Sequence, residues 1–172
     1  MMRPSLCRLR LALPLLGLVA ALCNPVAHAG PFEIAISPSR FELSGRNTQR
    51  IGQSMDIQNL GSSATEVSVR TIDWTYSPEG HITYHDELLP GSCRPWVTLE
   101  RKLVRVPARG KAAFRFQVDV PVDAQRGECR FMLAVEGVEP AHKALIENGG
   151  ASLSLPVNGR IAVAVYMALN GA

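Results

Sequence analysis

The chain has 172 residues, a formal net charge of +3 and a hydrophobic content of 47%. The excess positive charge belongs to Arg3, Arg8 and Arg10; from residue 30 onward, fifteen basic residues face fifteen acidic ones. That balance excludes the basic footprint of a nucleic-acid-binding surface, and the length sets one domain with a real core.

The first 29 residues read as a leader. Three arginines precede an apolar run from Leu11 to Leu22, and Ala27-His28-Ala29 follows. A charged start, a run too short for a comfortable membrane span and an A-x-A site predict a cleaved signal peptide over 1–29 and a single exported domain over 30–172.

Beyond the leader the chain reads as short alternating runs bounded by turn residues. Ile34 and Ile36 alternate, Pro38 interrupts, and Phe41 and Leu43 resume. A proline there predicts an edge strand that kinks or switches. Ile51, Met55 and Ile57 form the next run, closed by a turn at Asn59-Leu60-Gly61-Ser62. Val67 and Val69 share a face, whereas Ile72 and Trp74 fall out of phase with them, which predicts a bulge. Ser77-Pro78-Glu79-Gly80 is a turn, and the stretch from His81 to Leu89 returns. Strands follow at Leu103–Val106, at Phe114–Val120 after a turn over Pro107–Lys111, and at Cys129–Val135. Phe114, Phe116, Val118 and Val120 share one face. Pro140 to Leu155 is polar and glycine-rich and reads as a long, mobile loop. The chain closes on a further alternating run from Arg160 through Val165.

Cys7 and Cys23 leave with the leader. The two that remain, Cys93 and Cys129, are most simply one disulfide in an exported protein. There is no C-x-x-C, and no histidine at ligand spacing from either cysteine, to suggest redox or metal use. About seven short strands with turns roughly every ten residues, one disulfide and a central Trp74 describe an all-β, immunoglobulin-like two-sheet antiparallel sandwich.

Catalytic chemistry finds little support. The sequence has no glycine-rich phosphate loop, no H-E-x-x-H and no G-x-S-x-G. His81 and His85 fall on one face of a strand, with Asp86 and Glu87 nearby, but no fourth ligand is evident. The acids are scattered among arginines, with no pair poised for acid–base work. The expectation is a non-enzyme without metal or cofactor, small-molecule substrate or nucleic-acid partner.

The order of the pieces carries more than any one of them. "ISPSRFEL", "SMDIQNLGSSATEVSVRTIDW", "RVPARGKAAFRFQV" and "GECRFMLAVEGVEP" follow one another in a way that resembles the N-terminal immunoglobulin-like domain of periplasmic pilus (fimbrial) chaperones of the PapD type. The resemblance spans Ile34 to Tyr166. It implies a periplasmic protein whose last strand completes the unfinished sheet of a pilus, fimbrial or spore-coat-type subunit by β-augmentation, with an outer-membrane usher as a further partner. Leu153, Leu155 and Val157 are the implied donor side chains, and Arg160 to Val165 the part paired within the domain itself. The family also grips the subunit's terminal carboxylate with two basic residues. Arg40 matches the first; the second is a lysine, and here Ala162 stands in its place. Arg160, two residues earlier on the same face, is the implied substitute. The family has a second sandwich domain that the resemblance does not reach, and Pro156 and Asn158-Gly159 interrupt the donor run. The competing expectation is a structural or adhesive sandwich of a surface assembly, free to self-associate through an exposed edge strand.

Overall fold

The computed structural model describes residues 32–138, 142–148, 151–157 and 159–172, with side chains described for 32–138 and 159–172. The expected leader lies outside the described residues. Among the described residues, twelve strands form two sheets and a separate hairpin. The first sheet has four strands in the order β1 (Ile34–Ser37), β3 (Arg50–Asn59), β8 (Lys111–Asp119), β6 (Val97–Leu99). The second runs β2 (Arg40–Gly45), β12 (Arg160–Leu169), β9 (Gly127–Gly137), β4 (Thr65–Tyr76), β5 (Ile82–His85), with β7 (Leu103–Val106) on the other half of β4. The fold is an all-β, immunoglobulin-type sandwich.

The break at Pro38 is a change of sheet. The Ser37–Pro38 peptide is cis; β1 before it pairs antiparallel with β3, and β2 after it pairs parallel with β12. The alternation of β2, β3, β8, β9 and β12 then fills the space between the sheets. Phe41, Met55, Ile57, Phe114, Phe116, Val118, Phe131, Leu133, Val163, Val165 and Met167 are buried in one cluster. Phe116 makes edge-to-face contacts with Phe41 at 5.1 Å and Phe131 at 6.2 Å between centroids. The turn after β3 is organised by Asn59, whose Oδ1 accepts from the Gly61 amide at 2.9 Å and whose Nδ2 donates to the Ser63 carbonyl at 2.7 Å, an Asx-type closure. At Ser77–Gly80 the Gly80 amide donates to the Ser77 carbonyl, and its φ of 85° suits glycine.

Two expectations need correction. The out-of-phase pair Ile72 and Trp74 is not a bulge. β4 pairs one-to-one with β9 from Val67–Gly137 through Ile72–Met132, and one-to-one with β5 from Asp73–His85 onward. What changes is the face that carries apolar residues. Val67 and Val69 point between the sheets, while Ile72 and Trp74 join Met132 and Ala134 in a second buried cluster on the opposite face of the six-stranded sheet. Segment 140–155 is not a loop throughout. Residues His142–Asn148 form β10 and Ala151–Val157 form β11, an antiparallel hairpin with Ile146 opposite Leu153 and Ala144 opposite Leu155. Asn148-Gly149-Gly150 between two alternating runs is a hairpin signature that the polarity of the segment disguised.

The cysteines do pair. Cys93–Cys129 is a disulfide with a Cα separation of 5.6 Å. It ties the segment leaving β5 to the beginning of β9, where Ser92 bridges to Arg130 beside that strand.

Candidate functional site

The candidate site is built around the last strand, β12. Its ladder with β9 is continuous from Arg160–Glu136 to Leu169–Gly127. Its other edge is only partly covered. The parallel ladder with β2 begins at Ala164–Arg40 and ends at Leu169–Gly45. Residues Arg160–Val163 therefore have β9 on one side and, among the described residues, no strand on the other. The cause is the change of sheet at Pro38: counted back along the ladder, Ser39 and Pro38 form the bend between the strands, and Ser37 and Ile36 are paired with β3 instead. Immediately upstream, β11 pairs with β10 on one edge and with no described strand on the other. Leu153, Leu155 and Val157 all lie in β11.

Arg40 and Arg160 fall on the same, outward face of the six-stranded sheet, with Ala162, Ala164 and Tyr166. They are not adjacent. Arg40 opposes Ala164, four residues on from Arg160, a distance of about 13 Å along a strand. Each has a carboxylate of its own. Arg40 Nη2 lies 2.8 Å from Glu42 Oε1, both side chains two-thirds exposed. Arg160 Nε meets Glu136 Oε1, and its guanidinium lies 5.7 Å from the centre of the Tyr84 ring. Glu136 also takes a two-pronged contact from Arg70, 3.2 Å at each oxygen, and Arg70 reaches on to Asp86. Burial pushes the Glu136 carboxyl up, but Arg70 and Arg160 outweigh it and hold it below its ordinary value. The hydrogen bond from Arg70 holds Asp86 low in the same way.

The two arginines mark the ends of an apolar field made by Ala162, Ala164, Met132, Ala134, Ile72 and Trp74. At the Arg40 end, a groove of about 820 Å³ is lined by Arg40, Glu42, Glu128, Arg130 and Tyr166. Arg130 lies 4.6 Å over the Trp74 ring, and Tyr166 meets the same ring edge-to-face at 5.9 Å. Trp74 is buried as expected, though on this outer face, and its Nε1 has no hydrogen-bond partner among the described residues. Sequence reasoning missed Arg130. Its signal was the alternation of β9 itself, which sets Arg130 between the inward-facing Cys129 and Phe131.

Sequence reasoning also missed what holds the segment after β5. Asp73 is buried and accepts from the Leu89 amide (3.0 Å), the Ser92 hydroxyl (2.7 Å) and Arg94 Nη1 (3.3 Å). Arg94 also donates to the Asp86 and Glu87 carbonyls, each at 3.0 Å. This pair, beside the disulfide, packs the segment onto the sheet. Of the two hairpin histidines, His85 sits 2.9 Å from both Thr75 Oγ1 and Glu87 Oε1, and His81 stands just before β5. Among the described residues no group of three or more His, Cys, Asp or Glu is placed to hold a metal.

The fold is thus a sandwich in which the chain changes sheets at Pro38, pairing antiparallel with β3 before it and parallel with the last strand after it. Among solved structures it is similar to the ASH/PapD-like domain 7 of human CEP192, with a TM-score of 0.51 and 8% identity over 99% of both chains. It is similar to the SafB chaperone solved with the SafA pilin of Salmonella enterica, with a TM-score of 0.52 and 14% identity over 83% of this chain. It is also similar to the E. coli chaperone DraB, with a TM-score of 0.52 and 13% identity over 82% of this chain. It spans 57% of the length of each of these two chaperones. At these identities the likeness is one of fold. No protein-family model and no curated protein matches the chain.

Proposed function

We propose that the protein is an exported, periplasmic chaperone-like protein that binds an incomplete pilus or fimbrial subunit by donor-strand pairing. The observation that carries this reading is the edge of β12 at Arg160–Val163, which no strand covers among the described residues, preceded by β11, which pairs among them on one edge only. Backbone groups on such an edge accept a foreign strand, and alternate side chains select it. Leu153, Leu155 and Val157 alternate in β11 and are the proposed donor side chains. The fold likeness to SafB and DraB supports the same reading.

The subunit's terminal carboxylate is assigned first to Arg40. Its pairing with Glu42 is exposed, and such a pair contributes about 0–1 kcal/mol, so a second carboxylate competes for it easily. Arg160 is assigned the second contact. It shares Glu136 with Arg70 and so takes a client carboxylate only alongside or in place of Glu136. An outer-membrane usher is the proposed downstream partner, and the function involves no catalytic step.

The test is capture of pilus subunits in the periplasm. Leu155→Asp with Val157→Asp abolishes capture while the protein stays folded; unchanged capture would remove the donor-strand mechanism. Arg40→Ala weakens capture more than folding, and Arg160→Ala does so to a lesser degree. Loss of folding in step with capture would make both arginines structural.

A further inference from the structure

Gly159, where the final alternating run is interrupted, and Gly137 have a common cause in the fold. Gly137 has no positive φ, so the backbone does not require glycine there. What requires it is Phe32. A Cβ on Gly159 would overlap Cγ and Cδ1 of Phe32, and a Cβ on Gly137 would come within 3.3 Å of Phe32 Cδ2. The two glycines face each other: the Gly137 amide donates to the Gly159 carbonyl at 3.4 Å. They stand just beyond the Arg160–Glu136 pair, where β9 and β12 give way to β10 and β11. Phe32 itself is fixed from the opposite sheet. The carbonyl of Glu33 accepts from the Leu60 amide at 2.8 Å, Ile34 enters β1, and the Phe32 ring packs against the main core.

We infer that Phe32 is a positioning residue. Its ring, seated on Gly137 and Gly159, fixes the point at which the β10–β11 hairpin leaves the sandwich and holds the open edge at Arg160–Val163 in register with β9. A rung of two glycines has no side chains of its own to pack, and glycine is the residue with most backbone freedom. An aromatic ring laid across glycine in a sheet supplies the missing packing. Phe32 thus connects the first strand, anchored in the four-stranded sheet, to the segment proposed to meet a client. The positioning role stands on these contacts alone; only its effect on subunit capture rests on the proposed function.

Amide hydrogen exchange on the full chain, with a double-mutant cycle, tests it. Phe32→Ala should speed exchange in β10, β11 and Arg160–Val163 at least tenfold beyond any change in β8, whose amides report global unfolding. Phe32→Tyr should restore protection. Gly159→Ala should loosen the same segment when Phe32 is present and add nothing when Phe32 is already alanine. Should Phe32→Ala fail to fold, Phe32→Leu gives the same comparison with a smaller effect. Equal changes in β8 and in residues 142–163, or a Gly159→Ala effect that persists in full without the ring, would overturn the inference. If the hairpin loosens while capture of pilus subunits is unchanged, the positioning role stands and the donor-strand reading falls.

Discussion

From Ala164 to Leu169, β12 is paired on both edges, with β9 and with β2; from Arg160 to Val163, among the described residues, it is paired with β9 alone. Both halves send alternate residues into the same core, and Val163 and Val165 are equally buried. The difference lies in the backbone edge and in what surrounds it. The covered half runs beside the disulfide, with Met167 opposite Cys129, and near the segment held by Asp73 and Arg94. The half with the free edge ends at a shared ion-pair cluster of Arg160, Glu136, Arg70 and Asp86. One strand thus combines a structural seam with an edge that no described strand covers, and the change of sheet at Pro38 sets the border between them.

Perturbations of the two halves should differ in kind. The largest effect belongs to the covered half. Val165→Asp puts a carboxylate at a fully buried position, which costs several kcal/mol, and urea denaturation should find no cooperative folded state. Next comes the disulfide. Cys93→Ser with Cys129→Ser removes a cross-link over 36 residues and should cost about 4 kcal/mol, read as a lowered urea midpoint that reductant reproduces in the wild type. Arg94→Ala leaves Asp73 buried without its cation, a loss of about 3 kcal/mol by the same measurement. In the other half, Leu155→Asp with Val157→Asp should change stability by no more than about 0.5 kcal/mol while removing subunit capture. A loss of stability as large as that of Arg94→Ala would mean that β11 is part of the seam.

The smallest effect is one of pH. Glu136 is held below its ordinary value by Arg70 and Arg160 despite burial. A carboxyl lowered on folding stabilises the native state above the unfolded value and loses that contribution as pH falls through the folded one. Stability should therefore fall with acid below about pH 4.3, and Glu136→Gln should flatten that part of the profile. A Gln variant with an unchanged acid limb would assign the dependence to other carboxylates.

Much of this was legible in the residues. Alternation gave the core face of Phe114, Phe116 and Val118, and Pro38 marked the change of sheet. Asn59 and Gly80 marked turns, and the cysteine count gave the bridge. Alternation does not say which of two faces is covered, so the outward cluster of Ile72 and Trp74 read as a bulge. The Asp73–Arg94 pair spans 21 residues and is visible only after folding. The hairpin at 142–157 hid behind its polarity. For the candidate site, the resemblance named Arg40, Arg160 and the final strand, and the structure shows the two arginines on one face of the six-stranded sheet, but pairing on an edge depends on where neighbouring strands go. Neither the free edge nor the carboxylates already held by both arginines could be read from spacing.

Residue-level amide exchange along β12 in the free protein tests the central claim most directly. Successive amides of a strand point to opposite edges, so two of the four in Arg160–Val163 should exchange far faster than any in Ala164–Leu169, and both should become protected when a subunit is bound. Uniform slow exchange from Arg160 to Leu169 in the free protein would show that edge to be closed and would contradict the account.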